Sequence, residues 1–190
     1  MPKPPASAAI NLKLPELLAD GSYATPNRNL SDAATIWHVR SALNVAVLGC
    51  PQGTALAADY NQLLRIHRDP LKRAHSSLSA ESRDLDTAMT RVYNYFSQPP
   101  AQRDFCPVAT ALLSQSLTVQ PADFASFARA ALPQLDAPFI AFYRAYDAYR
   151  ADLAFWRAGA QRPQIAYDGR DFLRDAHMTG GERPKILATR

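Results

Sequence analysis

Glycine, cysteine and β-branched residues are scarce in this chain of 190 residues, and no long apolar run occurs. Six valines and six isoleucines stand against 34 alanines, which disfavours a β-sandwich or barrel because strands prefer β-branched side chains. The longest apolar run, Val45 to Cys50, is far shorter than the ~20 residues that span a membrane. Because alanine and leucine favour helices, the sequence predicts an all-α protein without a transmembrane segment.

The patterns of familiar catalytic and cofactor sites are also absent from the sequence. It contains no GxSxG elbow, HExxH pair, GxGxxG turn or P-loop. Its four histidines show no i, i+4 pairing, although His38 and Asp59 could meet across two helices. An acid/base pair such as Glu81 with Asp84 stays open, although acids at a helix start usually complement the helix dipole. We therefore expect no catalytic residue, no metal site and no cofactor, and a protein that is not an enzyme.

The charge is mildly basic and spread along the chain, with 21 Lys and Arg against 17 Asp and Glu. Such a distribution favours anionic partners weakly and argues against nucleic acid, whose binding surfaces cluster cations on one face. The densest basic cluster lies between residues 65 and 75. It is a candidate site for a phosphate or an anionic surface, and a solvated helix face is the alternative. The candidate anion-binding residues are Arg65, Arg68, Lys72 and Arg73.

Fifteen prolines divide the sequence into helix-length windows, because proline disrupts helix interiors. Apolar spacing inside these windows predicts a bundle of five or six helices over residues 29–159, with the run 43–48 in a central helix. The predicted helix caps are Ser31, Thr54 and either Ser82 or Asp84.

The prolines also set predicted helix boundaries. Pro70 should break or kink the second helix, whose apolar stripe includes a partly buried His67. The fourth helix should begin at Asp104, with Pro107 in its first turn, where proline is tolerated. A short fifth helix after Pro121 should be separate from the last one.

The last predicted helix carries a heptad stripe of aromatic residues between positions 139 and 156. This pattern indicates a helix that packs its aromatic face on the core, with Arg144 and Asp147 in solvent. A ligand groove and a surface for a partner helix are the alternatives. The stripe consists of Phe139, Phe142, Tyr146, Tyr149, Leu153 and Trp156.

The two cysteines, Cys50 and Cys106, each stand beside a proline, and we place both at helix ends that face each other across the core. We predict that they form a disulfide, which would close a loop of roughly 56 residues and stabilise the fold by ~4 kcal/mol. Buried free thiols and a reactive Cys106 at a helix N-terminus are the alternatives.

Residues 1–28 and 160–190 have little apolar periodicity, and we predict extended arms on either side of the 29–159 domain. The first ten residues lack the apolar core of a signal peptide. The chain is therefore expected to be either a mature exported protein or a cytoplasmic one with a loose start. Arms of this kind can order on a partner. The predicted partner-binding anchors are Tyr167, Phe172, Leu173, Ile186 and Leu187.

The segments 37–46 and 60–64, together with Cys50 and the pair Phe105-Cys106, resemble small exported α-helical proteins of proteobacteria that have no characterised activity. The resemblance covers roughly residues 36–110. It implies that the two cysteines form a periplasmic disulfide, and it implies no activity.

Three hypotheses of function follow from these patterns. The first is a non-enzymatic structural or accessory protein of the periplasm or cell envelope that docks on other protein chains through its arms. The second is a binding module for an anionic ligand or surface that uses the basic cluster at 65–75. The third is an enzyme without a familiar motif, which a cleft with buried carboxylates or a histidine of shifted pKa would favour. A cytoplasmic location is the alternative to the envelope.

Overall fold

The computed structural model describes residues 1–81 and 84–159. Within them the protein is an all-α bundle of six helices without a β-strand, as the composition predicts. Short 3₁₀ turns lie at Pro5–Ser7 and Pro121–Asp123. The helices are α1 (Asp32–Gly49), α2 (Gly53–Ile66), α3 (Arg68–Glu81), α4 (Leu85–Phe96), α5 (Pro99–Ser116) and α6 (Phe124–Arg157).

Helix α1 is the centre of the bundle and packs against each of the other five helices. It is apolar around most of its circumference, and Val39, Ala42, Leu43 and Ala46 are completely buried. A helix that is apolar on all sides is typical of a protein interior. The prediction that the run 43–48 belongs to a central helix is therefore correct.

Two of the predicted caps begin helices in the structure, whereas the predicted cap Thr54 is wrong, because α2 already begins at Gly53. The Ser31 hydroxyl accepts the N–H of Ala34 at the start of α1, at 3.1 Å. The Asp84 carboxylate accepts the N–H of Thr87 at the start of α4, also at 3.1 Å. Each side chain satisfies a donor that the first turn of a helix leaves unpaired.

The predicted helix boundaries at proline are only partly correct. Pro70 lies in the first turn of α3, and the chain does break just before it, at His67. However, α5 begins at Pro99 rather than Asp104, so Pro107 lies inside it. The short fifth helix is also not separate, because α6 continues through Pro133 and Pro138 to Arg157.

These interior prolines are tolerated because each removes only one backbone hydrogen bond while the rest of the helix is held by packing. Pro107 and Pro133 are exposed, so water can reach the carbonyl groups that they leave unpaired. The opposite face of α6 is deeply buried. The ring of Phe139 lies 4.8 Å from that of Tyr95 and 5.3 Å from that of Phe105.

The aromatic stripe of α6 forms part of the core, as its spacing predicts. All of its members are buried except Trp156, which is 52% exposed near the end of the helix. Arg144 is exposed as expected, whereas Asp147 is partly covered by the N-terminal arm. The stripe pattern missed Tyr143, which is 1% exposed.

Cys50 and Cys106 form the predicted disulfide, with their Cα atoms 5.7 Å apart. Cys50 follows the last residue of α1, whereas Cys106 lies in the middle of α5 rather than at a helix N-terminus. The bond closes a chain segment with a separation of 56 residues, which contains α2, α3 and α4. On a loop-entropy argument such a crosslink stabilises the fold by ~4 kcal/mol.

Residues 1–28 form an extended arm that lies on its own bundle. The expected contact of both arms with neighbouring chains stays a prediction. The hydroxyl of Tyr146 accepts the N–H of Leu12 at 2.9 Å and donates to the carbonyl of Ala9 at 2.5 Å. Tyr23, which is 3% exposed, donates its hydroxyl proton to Asp147 at 2.6 Å. Polar side chains of α6 therefore hold the arm where apolar periodicity is missing.

The predicted anchors Tyr167, Phe172, Leu173, Ile186 and Leu187 lie outside the described residues. Among the helices of residues 1–81 and 84–159, none is both long enough and apolar enough to cross a membrane.

Replacing Tyr146 with Phe should release the arm, because the change removes both hydrogen bonds to Ala9 and Leu12. The expected loss of unfolding free energy is about 1–3 kcal/mol, and backbone amides of residues 8–24 should exchange faster with solvent. Tyr149→Phe is the matched control, since the buried Tyr149 hydroxyl has no hydrogen-bond partner among the described residues. Equal effects of the two variants would contradict the role of Tyr146.

Candidate functional site

A cavity of about 790 Å³ opens between the N-terminal arm, α1, α3, α4 and α6. The arm contributes part of the lining, from Lys13 to Pro15 and from Ala24 to Pro26. Most of the surface is apolar, and polar groups are confined to a few positions. The apolar lining includes Leu14, Pro15, Pro26, Leu30, Leu78, Met89 and Val92.

A chain of buried hydrogen bonds runs from one wall of this cavity into the bundle. His38, on α1, pairs through its Nδ1 with the Oδ1 of Asn27 at 2.8 Å. Asn27 donates from its Nδ2 to Asp136 on α6 at 2.7 Å. Tyr95, on α4, donates its hydroxyl proton to the same carboxylate oxygen at 2.5 Å. The network thus joins the arm to α1, α4 and α6.

The direction of these bonds determines the tautomer of His38. The Asp136 carboxylate accepts hydrogen bonds, so Asn27 must turn its amide nitrogen toward it and its oxygen toward His38. An oxygen in that position requires a donor, and Nδ1 of His38 therefore carries the proton. In the neutral ring Nε2 is then an unprotonated acceptor.

The Nε2 atom of His38 is accessible from the cavity. His38 is 4% exposed, lines the cavity and makes no Nε2 hydrogen bond to a described residue. The fully buried side-chain atoms without a partner in the described part of the chain belong to Ser41, Tyr60, His67 and Tyr149, and Nε2 of His38 is not among them. The Nε2 of His38 is therefore an acceptor in the cavity wall that no described residue occupies.

Burial perturbs the proton affinities of this network. It lowers the pKa of His38 to about 4, so the imidazole is neutral at pH 7. Burial raises the pKa of Asp136, while hydrogen bonds from Tyr95 and Asn27 act in the opposite direction. The pKa of Tyr95 is also raised, first by burial and then by the Asp136 charge.

Two cations, Lys13 of the arm and Arg91 of α4, line the mouth of the cavity. Both residues are exposed, and neither forms an ion pair within the described ranges 1–81 and 84–159. The described lining thus carries two exposed cations and no acidic side chain.

The structure does not bring the four predicted anion-binding residues together. Arg68 and Lys72 lie one turn apart on α3 and line a shallow groove of about 520 Å³ with Trp37 and His75. Arg73 lines a different groove, beside Pro121, and Arg65 lies on α2 in neither. All four side chains are exposed, and anion binding by them stays a prediction.

His67, expected to be partly buried, is completely buried between α2 and α3. It donates through Nε2 to the carbonyl of Ser116 at 2.8 Å and stacks on Phe124 with ring centres 4.0 Å apart. Residues 1–81 and 84–159 contain no cluster of three or more His, Cys, Asp or Glu side chains that could hold a metal.

Sequence reasoning noted only that His38 and Asp59 could meet across two helices. Asp59 was the suggested partner, whereas the structure pairs His38 with Asn27, in an arm without helical periodicity. Asp136 and Tyr95 are distant in sequence and belong to different helices. The buried position of His38 on the apolar α1 was the one available signal.

No family model, curated protein or solved structure matches the chain.

Replacing His38 with Asn should make stability less dependent on pH. The Asn amide nitrogen lies about where Nδ1 lies, so it can still donate to Asn27, but it does not titrate. The folded-state pKa of His38, about 4, is below its ordinary value of 6.5. The stability from the neutral imidazole is therefore fully present above pH 6.5 and is lost as the pH falls toward 4.

The advantage of the wild type over His38→Asn should shrink from pH 7 to pH 4 by up to ~1.4 kcal/mol per pH unit. Urea unfolding at several pH values measures this difference, and contributions from groups that the two proteins share cancel in it. A difference that stays constant over this range would contradict the assignment.

Proposed function

We propose that this protein is a non-enzymatic binding module for a small amphipathic anion, held in the cavity behind the N-terminal arm. The observation that carries the proposal is the polarity of that cavity, which combines an apolar interior, one buried acceptor and two cations at the mouth. Its volume of about 790 Å³ lies in the ~300–1,000 Å³ range of small-molecule sites. The proposal agrees with the second hypothesis in the class of ligand, an anion. It differs in the site, which is the cavity behind the arm and not the cluster at 65–75.

The anionic character of the ligand follows from the mouth of the cavity. Lys13 is on the arm and Arg91 is on α4, and both lack an acidic partner in the described ranges. A carboxylate or phosphate between them would gain two charged contacts without a large desolvation cost, because both side chains remain exposed. The net charge of +4 adds a weak attraction.

Binding is better supported than catalysis. A buried histidine with a lowered pKa in a cleft is what the enzyme hypothesis requires, and His38 meets that description. However, nucleophilic catalysis also needs a nucleophile within hydrogen-bond reach of the base. The hydroxyls that line the cavity belong to Thr25, Tyr95 and Tyr143, and none is bonded to His38.

Benzoate should bind to the full-length protein and shift backbone resonances around the cavity, whereas the neutral benzyl alcohol should bind much more weakly. The double variant Lys13→Gln/Arg91→Gln should weaken benzoate binding about tenfold, taking ~0.7 kcal/mol for each exposed cation. Titrations followed by ¹⁵N–¹H NMR give both the dissociation constant and the location.

The control is Arg68→Gln/Lys72→Gln, which removes the same charge from the groove at Trp37 and should leave benzoate binding unchanged. If this control loses binding while Lys13→Gln/Arg91→Gln retains it, the anion site is the α3 groove. If benzoate shifts no resonance at the cavity, the proposal is wrong.

Docking on other chains through the C-terminal arm is the second candidate function. The last turns of α6 support it, because Phe155 and Trp156 are 59% and 52% exposed just before residue 160. Exposed aromatic residues of this size are common in protein interfaces.

Removing residues 160–190 should leave the unfolding temperature almost unchanged and abolish assembly with other chains. Size-exclusion profiles of native extracts measure the assembly, and the full chain with Phe155→Ser and Trp156→Ser separates the helix end from the arm. Normal assembly of the truncated protein would exclude this function.

An oxidising compartment, the periplasm or cell envelope, is our proposal for the location. The Cys50–Cys106 disulfide supports it, since such bonds persist mainly outside the reducing cytosol. Thiol labelling of the protein in intact cells would find two reactive thiols if the proposal were wrong.

A further inference from the structure

The hydrogen-bond network behind the cavity limits which polar group can lie beside His38. Its Nε2 is an unprotonated acceptor because Nδ1 donates to Asn27, whose orientation is in turn set by Asp136. A carboxylate or carbonyl oxygen next to Nε2 would place two lone pairs against each other. A hydroxyl or N–H group there would instead donate to Nε2, which has no partner among the described residues.

The other polar groups of the interior do not offer the same opportunity. The hydroxyl protons of Tyr95 and Tyr143 are committed to Asp136 and Gln98, at 2.5 and 2.9 Å. Asn94 and the cations Lys13 and Arg91 are exposed and therefore belong to the mouth. Thr25, at 8% exposure, also lines the cavity, but its Oγ1 already accepts the N–H of Asn27 at 3.4 Å. Among the described side chains of the lining, His38, at 4% exposure, is thus the buried acceptor without a partner.

We infer that the ligand is a hydroxylated carboxylate with an apolar body, which enters with its hydroxyl end first and donates a hydrogen bond to Nε2 of His38. Its carboxylate remains at the mouth, between Lys13 and Arg91. This inference rests on the proposed anion-binding function and adds the orientation and the chemical class of the ligand. His38 acts here as a specificity residue that accepts a hydrogen bond and transfers no proton.

The test compares four probes that share one carboxylate and one ring: benzoate, 3-hydroxybenzoate, 4-hydroxybenzoate and 4-methoxybenzoate. The wild-type protein should bind at least one hydroxybenzoate about fivefold or more tighter than benzoate, because a buried acceptor gains a partner. The methoxy compound accepts but cannot donate, so it should bind no more tightly than benzoate.

His38→Asn should lower the ratio of the hydroxybenzoate affinity to the benzoate affinity to about one, whatever its effect on benzoate itself. The variant keeps a donor for Asn27 and lacks the Nε2 acceptor, so the network is retained while the contact to the ligand is lost. A preference that survives in His38→Asn would show that another group recognises the hydroxyl and would overturn the inference.

A measurement on the wild type keeps the inference testable if the variant does not fold. Long-range ¹⁵N–¹H spectra of the imidazole should show a protonated Nδ1 and a free Nε2, and the Nε2 resonance should move upfield when 4- or 3-hydroxybenzoate binds. A protonated Nε2, or an unchanged Nε2 resonance in the bound state, would contradict the inference.

The outcomes separate this inference from the function on which it rests. Equal binding of benzoate and both hydroxybenzoates would leave the anion-binding function in place and exclude a donor contact with His38. No binding of any of the four probes at the cavity would exclude both.

Discussion

The constraint on which this fold depends is the position of α1, which packs against all five other helices and therefore has almost no solvent-facing side. A helix in that position must be apolar nearly all round, and polar residues on it need partners from elsewhere. Thr35, His38 and Ser41 are buried on α1, and of these His38 obtains its partner from the N-terminal arm. The hydrogen bond between His38 and Asn27 thus follows from the central position of α1. The arm provides the partner of His38 in place of the neighbouring helices.

Local sequence signals predicted the features that are decided locally. Ser31 and Asp84 cap helices because their side chains reach donors three residues away, and that geometry depends on little else. The prolines show the limit of such reasoning. A break at Pro133 or Pro138 was expected from the proline alone, but the aromatic face of α6 is buried against α4 and α5 and outweighs the missing hydrogen bonds. The burial of this aromatic face cannot be deduced from the sequence of α6 alone, because it depends on the positions of α4 and α5 in the folded chain.

The candidate site could be predicted even less, because its members have no common spacing. Asn27, Asp136 and Tyr95 lie in the arm, α6 and α4, and only the folded chain brings them to His38. The arm has no apolar periodicity, so its docking through Tyr146 and Asp147 left no recognisable pattern in the sequence. The disulfide was the exception among long-range contacts, since two cysteines allow one intramolecular pairing.

The disulfide also determines how the protein would respond to mechanical tension. A force applied to the two chain ends passes from Cys50 to Cys106 through the sulfur bridge and does not extend α2, α3 and α4, which lie within the closed loop. At ~3.4 Å per extended residue, the disulfide excludes about 190 Å of contour length from the part of the chain that the force can extend. The stretched length of the chain therefore depends on the redox state of its surroundings, and a reducing environment would release that length in one step.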